Sequence, residues 1–138
     1  MRYLAIDHGT KRMGIAVSDE LKLIAQPLEF IPREPFDRFL VRLKQILAEK
    51  EVELVLVGMP RNLDGTYGPA AQKVDAFIAE LKEAIPVPIQ TMDERLTSAQ
   101  ANRVLLEARI RRSSRKEKVD KMAAAILLQS YLDARSGD

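Results

Sequence analysis

The sequence predicts an α/β protein with a mixed five-stranded sheet, in which three antiparallel strands are followed by βαβ crossovers and helices flank the sheet. Three observations support this fold class. Short β-rich segments near the N-terminus are joined by connections too brief for parallel crossovers. After residue 35 the apolar spacing changes from the period of a strand to that of a helix. An apolar run, Leu54–Val57, then has the character of a strand buried on both faces.

The first three strands are predicted to form an antiparallel meander. They cover Arg2–Asp7, Met13–Val17 and Leu23–Ile31. The segment Gly9-Thr10-Lys11 supplies turn chemistry between the first two strands. Pro27 interrupts the third strand. Because proline cannot donate a hydrogen bond to a sheet ladder, we expect this strand at an edge of the sheet or with an irregular end.

The remaining elements alternate between helices and strands. Helical spacing of apolar residues, capping signals and short β-rich runs define them. Right-handed crossovers between them would leave the first strand at the centre of the sheet. The predicted ranges are a helix over Phe36–Leu47, the strand Leu54–Val57, a helix from about Pro69 to Ile85, a strand at Val87–Thr91, and helices at Thr97–Ala108 and Val119–Ala134.

Composition predicts one soluble, cytoplasmic domain that spans residues 1–138. The length of 138 residues fits a single domain, and 46% hydrophobic residues suffice for a core. The absence of cysteine excludes a disulfide framework, a thiolate nucleophile and a thiolate metal site. The sequence shows no secretory leader and no apolar run of roughly 20 residues, so we expect neither export nor a membrane span.

Positive charge is concentrated in the C-terminal third of a chain whose net charge is only +2. A local basic cluster on a near-neutral protein indicates a face that binds a polyanion, although a solvated loop would have the same composition. We therefore predict nucleic acid as the partner. The candidate contacts are Lys11 and Arg12 in the first turn, Arg61 in a long loop, and a basic block made of Arg109, Arg111, Arg112, Arg115, Lys116, Lys118 and Lys121.

Acidic residues occur at the ends of strands that the predicted topology brings together. Asp7 ends the first strand, and Asp93 and Glu94 come just after the fifth. Asp120 is expected to open the last helix, where a carboxylate complements the helix dipole. Carboxylates held together repel one another unless a cation intervenes, and oxygen ligands suit Mg²⁺ or Mn²⁺. The pattern is compatible with a metal cluster, while each acid could equally be an ordinary turn, ion-pair or helix-start residue.

Other routes to catalysis are disfavoured. His8 is the one histidine of the chain, and a single imidazole cannot build a metal site alone. The sequence has no recognisable nucleophile motif, phosphate-binding P-loop or aromatic ladder for stacked bases. The loop from Gly58 to Pro69 is longer than most connections of its kind, so we expect it to help position a substrate.

Four motifs, in order along nearly the whole chain, resemble those of the YqgF family, also called RuvX. Together with the matching chain length, their order makes the resemblance specific, although no one motif would suffice. Ser98 stands where the family often has a threonine. The motifs are Ala5–Ala16 (AIDHGTKRMGIA), Val57–Pro60 with the Asn62–Gly65 loop, Asp93–Ala99 (DERLTSA) and Val119–Leu132.

This resemblance implies a ribonuclease H-like fold related to the RuvC resolvases, and a nuclease that matures the 5′ end of precursor 16S ribosomal RNA. It implies that Asp7, an acid of the Asp93-Glu94-Arg95 motif and Asp120 are catalytic carboxylates that hold Mg²⁺ or Mn²⁺. We favour Glu94 as the metal ligand, because its longer side chain reaches a shared ion more easily, and we keep Asp93 as a further catalytic candidate. Ribosomes or their assembly intermediates are then expected partners.

Three alternatives stay open. Branched DNA is a rival substrate within the nuclease interpretation. An aspartate, any residue, glycine and threonine after a strand, here Asp7 to Thr10, also resembles the phosphate loop of the actin, Hsp70 and sugar-kinase superfamily. That would predict ATP binding, but those proteins close two such domains over the nucleotide. A nucleic-acid-binding factor without catalysis would use the basic block and leave the acids unexplained.

Overall fold

The computed structural model describes residues 1–60, 68–93 and 115–136, with the side chains of the last helix described over 123–135. These residues form five strands and three helices. In chain order they are β1 (Arg2–His8), β2 (Arg12–Ser18), β3 (Ala25–Pro32), α1 (Phe36–Glu49), β4 (Val52–Met59), α2 (Pro69–Ala84), β5 (Ile89–Asp93) and α3 (Arg115–Ser136).

The five strands form one mixed sheet in the order β3-β2-β1-β4-β5. Strand β2 pairs antiparallel with β1 and with β3, whereas β4 pairs parallel with β1 and with β5. The predicted fold class is therefore confirmed, with β1 in the central position. Since β1, β4 and β5 run in the same direction, their carboxyl ends lie at the same edge of the sheet.

Strand β3 lies at an edge of the sheet, as Pro27 predicted. Pro27 pairs with Ala16, directly after a register shift between Ile15 and Ala16 in the neighbouring strand. The missing N–H of proline is tolerated there because an edge strand has one side without a ladder. The register shift and the proline therefore occur together on an edge strand, where the loss of a ladder hydrogen bond is tolerated.

Helices cover both faces of the sheet, and the alternation of β1 shows how the core is divided. Leu4 and Ile6 point towards α1 and α2 and belong to the larger apolar cluster. Tyr3 and Ala5 point the other way, into a smaller cluster with Ala124 and other residues of α3. Successive side chains of a strand face opposite sides, so a strand buried on both sides must be apolar throughout.

Strand β5 begins later than the predicted Val87–Thr91, at Ile89. Pro88 explains the difference, because it has no N–H to give to the ladder and restricts Val87 before it. The carbonyl of Pro88 still accepts a hydrogen bond from the N–H of Val55 at 3.0 Å, which leads the chain into the parallel pairing. Pro69, in contrast, occupies the first turn of α2 as predicted.

Helix α3 begins at Arg115, four residues before the predicted start at Val119. The prediction that Asp120 opens this helix is wrong: it is the sixth residue of α3, beyond the first turn where a carboxylate complements the dipole. The residues before Val119 are arginine, lysine and glutamate, which are good helix formers, so the helix extends through them. Part of the basic block thus lies on a helix.

None of the helices within residues 1–60, 68–93 and 115–136 is both long enough and apolar enough to cross a membrane.

Gln129 fastens α3 to the sheet through its side-chain amide. Its Oε1 accepts a hydrogen bond from the N–H of buried Ala25 at 2.8 Å. Its Nε2 donates to the carbonyl of Leu23 at 3.0 Å and to Oδ1 of Asp133 at 3.0 Å. This one amide satisfies backbone groups at the start of β3, so it fixes where α3 lies across the strands.

We expect Gln129→Met to lower the free energy of unfolding by about 1–3 kcal/mol, because the Ala25 N–H would lose its acceptor in a buried position. Methionine keeps the length of the side chain and its apolar contacts. Urea denaturation measures the effect, with Gln72→Met at an exposed position of α2 as the matched control. Equal stability of the two variants would show that the amide does not anchor α3.

The turn between β1 and β2 is tightly packed at Gly9. A Cβ added at this position would collide with the backbone carbonyl oxygen of Arg12. Arg33 also stabilises the turn through two hydrogen bonds. Its main-chain N–H donates to the carbonyl of Lys11 at 3.0 Å, and its side-chain Nη1 donates to the carbonyl of Thr10 at 3.3 Å. Glycine is required here by the close approach of the backbone.

Gly9→Ala should therefore lower the free energy of unfolding by about 1–3 kcal/mol, the usual range for an overpacked position that must shift its neighbours. Gly14→Ala is the control on the adjacent strand. Its added Cβ would meet side-chain atoms of Phe30, Asp7 and Ala124 at ordinary contact distances of 3.6–3.8 Å. Urea denaturation should place Gly14→Ala close to the wild type; an equally stable Gly9→Ala would mean that the turn relaxes freely.

Candidate active site

The carboxyl edge of the parallel strands carries two acidic residues within the described part of the chain. Asp7 is the last residue but one of β1, and Asp93 is the last residue of β5. The predicted place of Asp7 at the end of β1 is confirmed by these bounds, whereas Asp93 belongs to β5, which ends two residues later than the predicted Thr91. Ligands of open α/β sheets bind beyond such strand ends, so this edge is the natural place for a site.

Asp7 faces the side of the sheet covered by α3. It alternates with Ile6, shares its face with Ala5, and pairs with Gly14 across the β1–β2 ladder. Because Gly14 has no side chain, space remains between the Cβ atoms of Asp7 and Ala124: a Cβ built on Gly14 would lie 3.7 Å from the first and 3.8 Å from the second. The half-buried carboxylate is thus next to α3 across a glycine.

An open cavity of about 560 Å³ extends from Asp7 to the β1–β2 turn. Lys11 and Arg12 are exposed and line it, and the Arg12 guanidinium carbon lies 3.9 Å from the centre of the Phe30 ring. A cation over an aromatic face is attracted by the ring, which holds the arginine at the rim. The residues that line the cavity are Asp7, Gly9, Thr10, Lys11, Arg12, Gly14, Phe30 and Ala123.

Asp93 lies on the opposite face of the sheet from Asp7. It pairs with Met59, and both Met59 and Ile89 pack towards α1 and α2. Met92, the residue before it, packs instead with the α3 cluster. Of the two adjacent acids in the predicted motif, Asp93 is therefore the one that alternation turns away from the carboxylate of Asp7.

Several predicted site residues lie outside the residues or side chains that the structure describes. Glu94 belongs to none of the three described ranges. The side chain of Asp120 is not described, although its place on α3 is one turn before Ala124. Among the described residues, no group of three His, Cys, Asp or Glu side chains could hold a metal ion. Of the predicted cations, Arg61, Arg109, Arg111 and Arg112 also lie outside, and Arg115, Lys116, Lys118 and Lys121 are placed only along α3.

His8 lies on the other face of β1, where no site was predicted. Its ring packs against Phe77 of α2 at 5.1 Å between centroids. Burial lowers the pKa of His8, and the positive charges of Arg33 and Lys73 lower that pKa further, while a backbone hydrogen bond opposes them. The three residues are far apart in the sequence, and only the topology brings them together.

The family is shown by sequence comparison. The model of the RuvX family, described as Holliday junction resolvase, matches residues 1–134. A protein of Desulforamulus reducens is 48% identical over 134 residues, covering 97% of this chain and 98% of its own length. A protein of Geobacillus kaustophilus is 47% identical, covering 98% and 99%. Both carry the name "Putative pre-16S rRNA nuclease".

Solved structures confirm the predicted ribonuclease H-like fold. RuvC of T. thermophilus in complex with a Holliday junction substrate has a TM-score of 0.63 at 21% identity, covering 99% of this chain and 96% of its own. The fowlpox virus Holliday junction resolvase has a TM-score of 0.57 at 15% identity, covering 97% and 99%. At such identities the likeness concerns the fold. On the match over residues 1–134 and the full-length relatives, the chain belongs to the RuvX family.

Proposed function

We propose that this protein is a metal-dependent nuclease that hydrolyses phosphodiester bonds of precursor 16S ribosomal RNA at its 5′ end. The observation that carries the proposal is the cavity at the carboxyl edge of the sheet, where a half-buried carboxylate, Asp7, is flanked by the exposed cations Lys11 and Arg12. The cations suit a phosphate backbone, and the carboxylate suits a cation that neutralises the reacting phosphate.

The proposed metal ligands are Asp7, Glu94 and Asp120. Asp7 supplies a carboxylate on the α3 face, and Asp120 is on α3 one turn before Ala124, whose Cβ is close to the space above Gly14. Glu94 follows Asp93 in the chain and is proposed as the third ligand because its longer side chain reaches a shared ion more easily. The donor set is oxygen only, which fits Mg²⁺ or Mn²⁺.

A divalent cation bound there would neutralise charge on the phosphate and favour ionisation of an attacking water. The protein's own residues have the remaining tasks. Asp7 holds negative charge at a fixed strand end, Lys11 and Arg12 orient the phosphate backbone, and α3 closes one side of the cavity against bulk water. Fixed charges in a partly enclosed cavity act more strongly than in water and need no rearrangement during the reaction.

The basic block is proposed to extend the nucleic-acid surface beyond the cavity. Its members Arg115, Lys116, Lys118 and Lys121 belong to the N-terminal part of α3, the same helix that carries Asp120. Cations on this helix would therefore bind phosphates next to the reacting one, together with Arg61 from the long loop and Arg109, Arg111 and Arg112. Contacts of this kind provide affinity and register without reading the sequence of bases.

RNA is favoured over branched DNA because full-length relatives at 47–48% identity are named for precursor 16S rRNA. Branched DNA remains the second candidate, since the matching family model is described as Holliday junction resolvase. With an RNA substrate, we propose that the enzyme acts in the cytoplasm and has ribosome assembly intermediates as partners. We also propose that residues 1–138 form one domain. Cleavage of a precursor 16S leader and of a four-way DNA junction by the same preparation separates the two.

We expect Asp7→Asn to abolish Mg²⁺-dependent cleavage while folding and nucleic-acid binding remain. Asparagine has nearly the shape of aspartate but brings no charge to hold a divalent cation. Added Mg²⁺ should raise the melting temperature of the wild type by mass action and that of the variant much less. Asp75→Asn, at an exposed position of α2, is the matched control and should behave as the wild type.

If Asp7 only braces a turn, the outcome is different. Asp7→Asn would then lower stability without Mg²⁺, and Mg²⁺ would leave both melting temperatures unchanged. A variant that still cuts the RNA at the wild-type rate would reject the metal-nuclease proposal.

Comparison of variants at Glu94 and Asp93 tests which of these two acids is the metal ligand. Glu94→Gln should reduce cleavage by more than the roughly 10–100-fold that loss of a group supporting a metal ligand costs, and Asp93→Asn should stay within that range. The reason is that Asp93 lies on the face of Met59, away from Asp7. Single-turnover cleavage rates with Mg²⁺ provide the measurement, and the reverse order of effects would make Asp93 the ligand.

A further inference from the structure

A second cleft, of about 180 Å³, lies at the carboxyl edge of the sheet on the face opposite Asp7. Three elements contribute its polar lining. His8 ends β1, Arg33 directly follows β3, and Lys73 lies in the second turn of α2. Among the residues that the structure describes, none that lines this cleft is acidic. An adjoining cleft of about 220 Å³ shares these three residues and adds the carboxylates Glu34 and Glu80.

The two cations of this cleft are available for a ligand. In the part of the chain that the structure describes, no carboxylate lies within 4.0 Å of the charged nitrogens of Arg33 or Lys73. Arg33 is held in place by its contacts with the carbonyls of Lys11 and Thr10. A guanidinium has five N–H donors, and the contact with Thr10 uses one of them. The arginine is therefore positioned and still able to donate.

The start of α2 adds to the positive character of the cleft. Ala70 lines it, in the first turn of a helix of 16 residues. The N–H groups of Ala71 and Gln72 bond to the carbonyl of Gly68, and Pro69 has no N–H. Helix N-termini carry partial positive charge, which favours an anion. This contribution supplements the two side-chain cations.

His8 lines the cleft beside the two cations. Its imidazole is partly buried against Phe77, and its pKa is lowered by that burial and by the neighbouring charges of Arg33 and Lys73. Packing against Phe77 fixes the ring, so that it lies beside Arg33 and Lys73 in the lining of the cleft.

We infer that this cleft binds a phosphate group of the nucleic acid whose neighbouring phosphate occupies the Asp7 cavity. The cleft and the cavity share Gly9 and Thr10, so a backbone that crosses the β1–β2 turn contacts both. Arg33 and Lys73 would pair with phosphate oxygens, and Pro60 also lines the cleft. This inference rests on the proposed function, since it extends the path of the same substrate.

The single histidine makes the test direct. In full-length Asp7→Asn protein, which should bind without cutting, proton NMR observes the imidazole of His8 free of overlap from other histidines. A short single-stranded RNA from the precursor leader and inorganic phosphate are titrated separately. We expect the RNA to shift the resonances of the His8 ring at a fixed pH, because a phosphate bound beside the ring changes its surroundings.

A charge-matched pair of double variants completes the test. Arg33→Gln with Lys73→Gln should weaken RNA binding about tenfold or more, since each lost contact is a charge-assisted hydrogen bond. Lys44→Gln with Lys82→Gln removes two exposed cations elsewhere and should leave binding within about twofold. Thermal melts of both double variants, together with the dispersion of their amide proton resonances, verify that the fold is kept.

Each outcome decides the inference. A His8 response to RNA that disappears in the Arg33 and Lys73 variant supports it. A response to inorganic phosphate alone overturns the nucleic-acid assignment and leaves an anion site, and no response to either probe overturns the site altogether. Wild-type cleavage with Mg²⁺ is measured separately: cleavage without a His8 response rejects only this cleft, whereas a His8 response without cleavage rejects the nuclease proposal and keeps the binding site.

Discussion

Strand β1 can carry a functional group only because it is buried on both faces in the middle of the sheet. Leu4 and Ile6 on one side and Tyr3 and Ala5 on the other pack into separate cores, which fixes the strand in register and orientation. Its last residues then emerge at the carboxyl edge in a defined alternation. The positions of Asp7 and of the cations Lys11 and Arg12 follow from this, because β2 pairs with β1 and the turn at Gly9 leaves it.

Much of this arrangement could be predicted because it depends on local pattern. The change from strand to helix period, the proline in β3 and the apolar run of β4 each determine an element through physics that acts over a few residues. The position of Asp7 at a strand end required nothing more. The predicted start of α3 at Val119 is wrong because a basic block is typical of a solvated segment, whereas here its arginine and lysine residues extend the helix back to Arg115.

What could not be predicted depends on contacts between distant residues. Arg33 and Lys73 meet His8 only because β3 returns to the edge beside β2 and α2 packs over the end of β1. No spacing in the sequence indicates that meeting, and a lone histidine beside a turn gave no signal. Gly14 and Phe30 belong to the same class, since their role as walls of the Asp7 cavity requires the pairing of β2 with both neighbours.

The side chains of consecutive residues in a strand point to opposite faces of the sheet, and this determines which charged groups surround each of them. Asp7 and His8 are consecutive, yet the first faces α3 and the second faces α2. Lys11 and Arg12 line the cavity of Asp7, whereas Arg33 and Lys73 line the cleft on the other side of the β1–β2 turn. Arg33 and Lys73 therefore add positive charge along the proposed path of a polyanion without adding to the cations beside the Asp7 carboxylate. A polyanion that crosses the turn can meet cations on both sides of it and a cation-binding carboxylate on one.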